Sequence, residues 1–280
     1  MISYNRNKSM KRRDSMVKFI YEQREPFNVI DNIFYIGNTF VSCYLFTSEE
    51  GNVLVDTGFP SDGPHIVKHI EQLGFSAEDV KYILVTHPHV DHVGSLANLK
   101  ERTGAIVCAG EGDVFCIEND SKTVGSDVLE LPEVEPCKVD RVLKDGDRIE
   151  VGSIFLRVYE TPGHSAGATS FGFQVSDQGQ EYASILYGGF GLNVFEGMNL
   201  KHNVYGADVD KYIASLDKVK DLDVDVWLTG HHFFDGTFEK LKIMEQQEEN
   251  INPFVDPEGW NSFLANHINQ AKEIRKKISV

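Results

Sequence analysis

Residues 86–95 read "THPHVDHVGS" and crowd His87, His89, Asp91 and His92 into six consecutive positions, directly after the apolar run "YILV" at 82–85. In an extended chain, side chains two apart point the same way. His87 and His89, leaving the strand expected over "VKYILVT" (80–86), can therefore present two imidazoles to one point. Asp91 and His92 lie one step further, where the chain turns before a helix expected to start near Gly94, and can face a second ion beside the first. Pro88 resists an interior helical position, so a helical pairing of the histidines does not explain the cluster. Isolated histidines ordinarily satisfy a core or surface contact, and His65, His69, His202 and His267 are read that way. Neutral imidazoles together with a carboxylate suit zinc or iron.

The flanking chain supplies a frame for such a site. Before it, "NVIDNIFYIGN" (28–38), "FVSCYLFT" (40–47) and "NVLVDTG" (52–58) are rich in β-branched and aromatic residues and predict an antiparallel start. "SDGPHIVKHIEQLG" (61–74) has apolar residues at helical spacing, Ser61 or Asp62 to cap it and Gly74 to end it. After the cluster come a helix "SLANLKERTG" (95–104), a strand "AIVCA" (105–109) and a short helix "EGDVFCIEN" (111–119), the alternation of an α/β protein. The second half predicts strands "RIEV", "IFLRVYETPGH", "ATSFGFQV" and "ASILYGG", a helix "DVDKYIASLDKVKDL" (208–222), a strand "VDVWLTG" (224–230) and two closing helices between about Gly236 and Lys277. The acidic, proline-containing stretch 119–141 reads as a surface excursion bordering the active site, and Phe254 and Trp260 read as core. "SLDK" (215–218) matches S-x-x-K without its companion motifs and reads as a solvated helix face.

Composition narrows the function classes. Among 280 residues, 41% are hydrophobic and 25% charged, as in an ordinary soluble globular chain. A net charge of −16 argues against a nucleic-acid partner, because phosphate binding draws on clustered Lys and Arg. The one basic cluster lies in residues 1–25, read as a flexible tail before a single domain over 26–280. No secretory signal is legible at the start and no apolar run approaches the ~20 residues that span a bilayer, so a cytoplasmic protein without membrane contact is expected, acting on a small molecule. Cys43, Cys108, Cys116 and Cys137 show no C-x-x-C spacing, which disfavours disulfides and thiolate metal sites.

In chain order, "THPHVDH" (86–92), "ETPGHSAGATS" (160–170) and "VWLTGHH" (226–232) resemble the H-x-H-x-D-H motif and later histidines of the metallo-β-lactamase superfamily. The resemblance implies an α/β (α+β) four-layer αβ/βα sandwich, with two mixed sheets flanked by helices. It assigns His87, His89 and His164 to one metal, and Asp91, His92 and one histidine of "GHH" to the other. His231 is preferred to His232 because it stands directly after the strand and glycine turn. "NVLVDTG" resembles the strand ending in Asp-x-Gly that precedes the motif, which makes Asp56 a structural carboxylate near the site.

One departure matters. Where many relatives carry an aspartate bridging both metals, this sequence has Gly189. The pattern is closest to the β-lactamase subclass with His-His-His and Asp-His-His zinc sites, although the serines that subclass offers to a lactam carboxylate are missing from "GGFGLNVFEG" (188–197). An aspartate placed at 189, if sterically tolerated, is expected to draw the filling of the two metal sites together. The resemblance implies a hydrolase with two zinc ions, iron or manganese being the substitutes, in which Asp91 orients a metal-activated water toward a lactone, thioester, amide or lactam. The alternative on the same fold is a mononuclear iron dioxygenase or oxidoreductase.

Overall fold

Runs of β-branched and aromatic residues build two sheets in the computed structural model, which describes residues 21–119, 124–126, 131–195, 205–246 and 252–278. The first sheet follows chain order: β1 (Phe27–Ile30), β2 (Ile33–Tyr35), β3 (Tyr44–Phe46), β4 (Asn52–Val55), β5 (Val80–Leu84), β6 (Ile106–Gly110) and β7 (Arg141–Leu143). It is antiparallel up to β4 and parallel from β4 to β7. In the second, β8 (Arg148–Val151), β9 (Ile154–Glu160), β10 (Thr169–Asp177) and β11 (Gln180–Tyr187) form an antiparallel run, and β12 (Val226–Thr229) adds parallel to β11. Both sheets are therefore mixed.

The sheets face each other across a core in which Val29, Phe46, Leu156, Phe171, Phe173 and Leu186 are buried, Phe46 meeting Phe173 edge to face at 5.0 Å. The outer face of the first sheet, through Leu54, Ile83 and Val107, is covered by α1 (Gly63–Gln72) and α3 (Leu96–Thr103). The outer face of the second, through Ile185, Tyr187 and Trp227, packs on α5 (Val209–Val219) and α8 (Pro257–Ile278). The result is the expected helix–sheet–sheet–helix sandwich, with Phe254 and Trp260 fully buried. Among the described residues no helix is long and apolar enough to cross a membrane, and all four cysteines are buried and free.

Several local expectations change. A helical turn, α2 (Val90–Val93), forms before α3 and carries Asp91 and His92 on ordered backbone. The short helix expected over 111–119 forms, as a 3₁₀ turn followed by α4 (Val114–Glu118), whereas a further short helix, α6 (His232–Asp235), precedes α7 (Thr237–Gln246). The stretch 119–141 is more than a surface excursion in its described parts: Val134, Cys137 and Val139 are buried, and Arg141 begins β7. Asp62 occupies the N-cap of α1 but makes no capping bond there; its carboxylate accepts the Phe59 N–H and the amides of Gln23 and Asn38. Ser215 is buried and donates to Pro162 O at 2.7 Å, so that side of "SLDK" faces the interior. Of the expected tail, residues 1–20 lie outside the described residues; Tyr21 stacks on Phe59 at 4.5 Å and the Arg24 guanidinium sits 4.4 Å over Phe238.

Candidate metal centre

The ligand-type residues converge because each leaves the carboxyl end of a strand, where open sheets hold ligands. Asp56 follows β4; Thr86, His87 and His89 follow β5, and α2 continues the loop with Asp91 and His92. His164 sits in the β9–β10 turn, and His231 follows β12. At His164 the turn needs glycine: Gly163 has φ +135°, and a Cβ there would lie 2.2 Å from the Tyr212 backbone N.

Two groups of three result, His87–His89–His164 and Asp91–His92–His231, each with one ligand atom per residue and all within 4.8 Å of one another. In the second group His92 Nε2 lies 3.3 Å from His231 Nε2, and Asp91 Oδ2 lies 3.6 Å from each. In the first, His89 Nδ1 lies 3.3 Å from His164 Nε2. Tetrahedral zinc with bonds of about 2.0–2.1 Å needs ligand atoms roughly 3.3–3.4 Å apart, so the second group fits that ion nearly as it stands, as does the His89–His164 pair of the first. The two groups abut, with the His87 and His92 rings 3.9 Å apart.

Hydrogen bonds behind the site fix which nitrogen each ring presents. His92 Nδ1–H donates to Asp56 Oδ2 at 2.8 Å, His164 Nδ1–H to Gly191 O at 2.6 Å and His231 Nδ1–H to Phe40 O at 3.0 Å. The Thr86 hydroxyl donates to Asp56 Oδ2 at 2.7 Å, so its oxygen accepts from His87 Nδ1–H at 2.9 Å. Four rings thus engage Nδ1 behind the site and turn Nε2 toward it. His89 is the exception, its Nε2 buried without a hydrogen-bond partner. Burial, reinforced by neighbouring imidazoles, holds His87 and His89 well below the ordinary histidine pKa, and burial lowers His164 and His231 to about 4. Burial presses His92 down too, but the Asp91 and Asp56 carboxylates outweigh it and raise it. A set of mostly neutral imidazoles with one carboxylate is the donor chemistry a divalent borderline-soft metal takes.

Residues 36–177 match the sequence profile of the metallo-beta-lactamase superfamily. The chain belongs to this superfamily. A subclass B3 metallo-beta-lactamase of Bradyrhizobium japonicum superposes with a TM-score of 0.80 at 32% identity, covering 92% of this chain and 96% of that one. A metallo-beta-lactamase mutant from Legionella gormanii gives 0.83 at 27% identity, covering 93% and 98%. Among curated sequences, a hydroxyacylglutathione hydrolase of a Bradyrhizobium species is 32% identical over 154 residues, 55% of this chain. The chain spans about half the length of the curated relatives it matches, 51% in that case.

Set on this superfamily scaffold, the histidine preferred from the order of "GHH" falls beside Asp91 and His92, while its neighbour turns away. His232 Nε2–H donates to Thr39 O at 3.1 Å, and its ring stacks on Phe238 at 4.0 Å. The steric condition on an aspartate at 189 is not met. Gly189 has φ +75°, a conformation that strains any L side chain, and a Cβ there would stand 2.8 Å from His164 Cβ. Aspartate would push His164 aside before it could reach between two ions.

Asp113 escaped the sequence reading, because a lone carboxylate after "GEG" carries no spacing signal. It is buried at the end of the 3₁₀ turn Glu111–Asp113 and accepts the Ser165 hydroxyl at 2.7 Å and the Gly167 N–H at 2.8 Å, clasping the loop that carries His164. Burial pushes its carboxyl up to about 7, against those two bonds. The folded chain therefore holds a proton there that the unfolded chain releases near pH 4, and this contribution to stability is present at low pH and lost as pH rises toward 7. Between pH 4.5 and 7, the stability of the unmodified protein relative to Asp113→Asn is expected to fall by about 3 kcal/mol. Parallel urea titrations of the two proteins at both pH values measure this; a constant difference would refute the protonated state.

Proposed function

We propose that the protein is a dinuclear zinc hydrolase that cleaves an acyl bond of a small-molecule substrate, with His87, His89 and His164 holding one ion and Asp91, His92 and His231 the other. The observation that carries this reading is the pair of adjacent ligand triangles, five of whose six residues line one cavity of about 460 Å³. Bound there, the metals would polarise the substrate carbonyl and lower the pKa of a water to near neutrality. The chain's own residues do the rest. The backbone carbonyls of Phe40 and Gly191 and the Asp56–Thr86 pair keep four imidazoles in the ligating tautomer. Asp91, nearly buried, sets Oδ2 toward His92 and His231 and keeps Oδ1 to orient the attacking water, take its proton and pass it to the leaving group. In balance, the water oxygen bonds to the acyl carbon, the bond from carbon to the leaving atom breaks, and that atom leaves with the proton. A mononuclear iron enzyme would use one triangle; a second complete one favours two ions.

Zinc titration of metal-stripped protein, scored for bound metal and for hydrolysis of lactones, thioesters, amides and β-lactams, tests the reading. Two equivalents bound with hydrolysis appearing as they bind is the expected result. Asp91→Asn, which keeps a ligating oxygen but cannot carry the proton, is expected to lose roughly a hundredfold in kcat. A protein that loads two zinc ions and hydrolyses none of these classes, or an Asp91→Asn variant with full turnover, contradicts it.

A further inference from the structure

The cavity wall beside the two ligand groups is aromatic and continuous. Phe40 lies edge-on to the His231 ring at 5.1 Å, and Phe233 stacks on that ring at 5.0 Å and 19°. From Phe233 the rings run inward, to Phe234 at 4.8 Å and from there to Phe190 at 6.2 Å, with Leu192 and Val194 completing the cavity's apolar side. The strip is graded: Phe190, beside the Gly189–His164 contact, is 3% exposed, whereas Phe233 is 52% exposed. Phe233 is also held there by construction, on the helical turn α6 whose capping residue is His231 itself. A large aromatic ring left half in water at the mouth of a cavity, in line with buried rings, is apolar surface that a ligand can cover.

From this we infer, on the hydrolase reading above, that the substrate is an ester or thioester with an uncharged, apolar acyl chain, which lies along Phe233, Phe234 and Phe190 with its carbonyl at the ligand groups. Phe233 is then a specificity-determining residue at the outer end of the chain's path. Each methylene laid on the strip leaves water, so catalytic efficiency rises with chain length until the chain passes Phe233. A carboxylate at the far end of the chain would have to shed water among phenylalanine rings and is selected against.

The test uses zinc-loaded protein and S-ethyl thioesters from acetyl to octanoyl, with thiol release as the readout, and the matching n-propyl ketones, in which a methylene replaces sulfur so that they bind without being cleaved. kcat/KM is expected to rise roughly two- to fourfold per methylene from acetyl to hexanoyl, and ketone affinity to rise in parallel by calorimetry. The mono-thioester of adipic acid, equal in length to hexanoyl but ending in a carboxylate, is expected to fall at least tenfold below it. Phe233→Ala is expected to lower the hexanoyl-to-acetyl ratio at least fivefold; because this is a ratio between two substrates of one protein, a change in metal content cancels from it. A flat chain-length series for both thioesters and ketones, an adipyl substrate equal to hexanoyl, or an unchanged ratio in Phe233→Ala would overturn the inference. Ketones that bind more tightly with length while no thioester is cleaved would uphold the apolar path and overturn the hydrolase reading instead.

Discussion

Replacing His164 by alanine is expected to remove one equivalent of tightly bound zinc and to lower hydrolysis by roughly a thousandfold or more. On the proposed assignment His164 is one of only three protein ligands to its ion, and a catalytic zinc retains little affinity when one of three is withdrawn. The size of the effect follows from what the ion contributes: bringing the pKa of a water from 15.7 to about 7 is worth many orders of magnitude in nucleophile concentration at neutral pH. The fold should survive, because the His164 ring belongs to none of the three hydrophobic clusters and its loop is held by Asp113, Tyr212 and the Gly163 turn. His232→Ala is the matched comparison, since that ring is engaged with Thr39 O and Phe238 on the far side of the turn; it is expected to keep both zinc equivalents. Zinc per chain after dialysis and kcat/KM measured together decide the matter. A His164→Ala protein that retains two zinc ions, or a His232→Ala protein that loses one, would reverse the assignment of the first or the second group.

The difference between those two histidines marks how far the sequence could be read. His87, His89, Asp91 and His92 were legible because they are neighbours in the chain, and strand alternation alone brings two of them to one point. His164 and His231 lie 75 and 139 residues from their partners His89 and His92, and only the resemblance in motif order reached them. The sandwich was legible for the same double reason: the strand and helix runs are strongly patterned, and the motif order names their arrangement. What stayed hidden are contacts made purely by tertiary packing. Asp113 grips a loop some fifty residues away, Phe40 offers a backbone carbonyl that any residue would have, and Thr86 works through the direction of one hydroxyl hydrogen. Gly189 was legible only in part. Its lack of a carboxylate was visible in the sequence, whereas its positive φ and the His164 Cβ against it were not. Short elements such as β7 and α2 have too few residues for a period to show, and their existence depends on the neighbours they pair with.

Asp56→Asn is expected to weaken both metal positions at once, with zinc affinity down roughly 10- to 100-fold at each and hydrolysis at limiting zinc down on the order of a thousandfold. Asp56 is 1% exposed and sits at φ +60°, a backbone conformation that asparagine adopts about as readily as aspartate. The substitution therefore isolates the carboxylate from the backbone, which alanine would strain. Asp56 accepts three donors, the Thr86 N–H on Oδ1 and the Thr86 hydroxyl and His92 Nδ1–H on Oδ2. An amide in its place has one oxygen and one NH₂ group, so at least one of those donors must meet another donor in a buried site, at a cost of about 1–3 kcal/mol. If the NH₂ group takes the Oδ2 side, His92 can satisfy it only by giving up the Nδ1 proton, which moves to Nε2 and blocks the nitrogen facing Asp91 and His231. The Thr86 hydroxyl is displaced in the same step and releases the His87 Nδ1–H that it accepts, so the first group loses its fixed tautomer as well. If the amide flips, the Thr86 N–H is stranded and the β5 end that carries His87 must shift. Chelator-competition titrations of the Asn variant should show both zinc affinities reduced, and heteronuclear NMR of its imidazole nitrogens should show His92 carrying its proton on Nε2 in place of Nδ1. Two wild-type affinities together with an unchanged His92 tautomer would mean that the carboxylate at 56 only fills space, and that the ligating rings are oriented by the sheet ends alone.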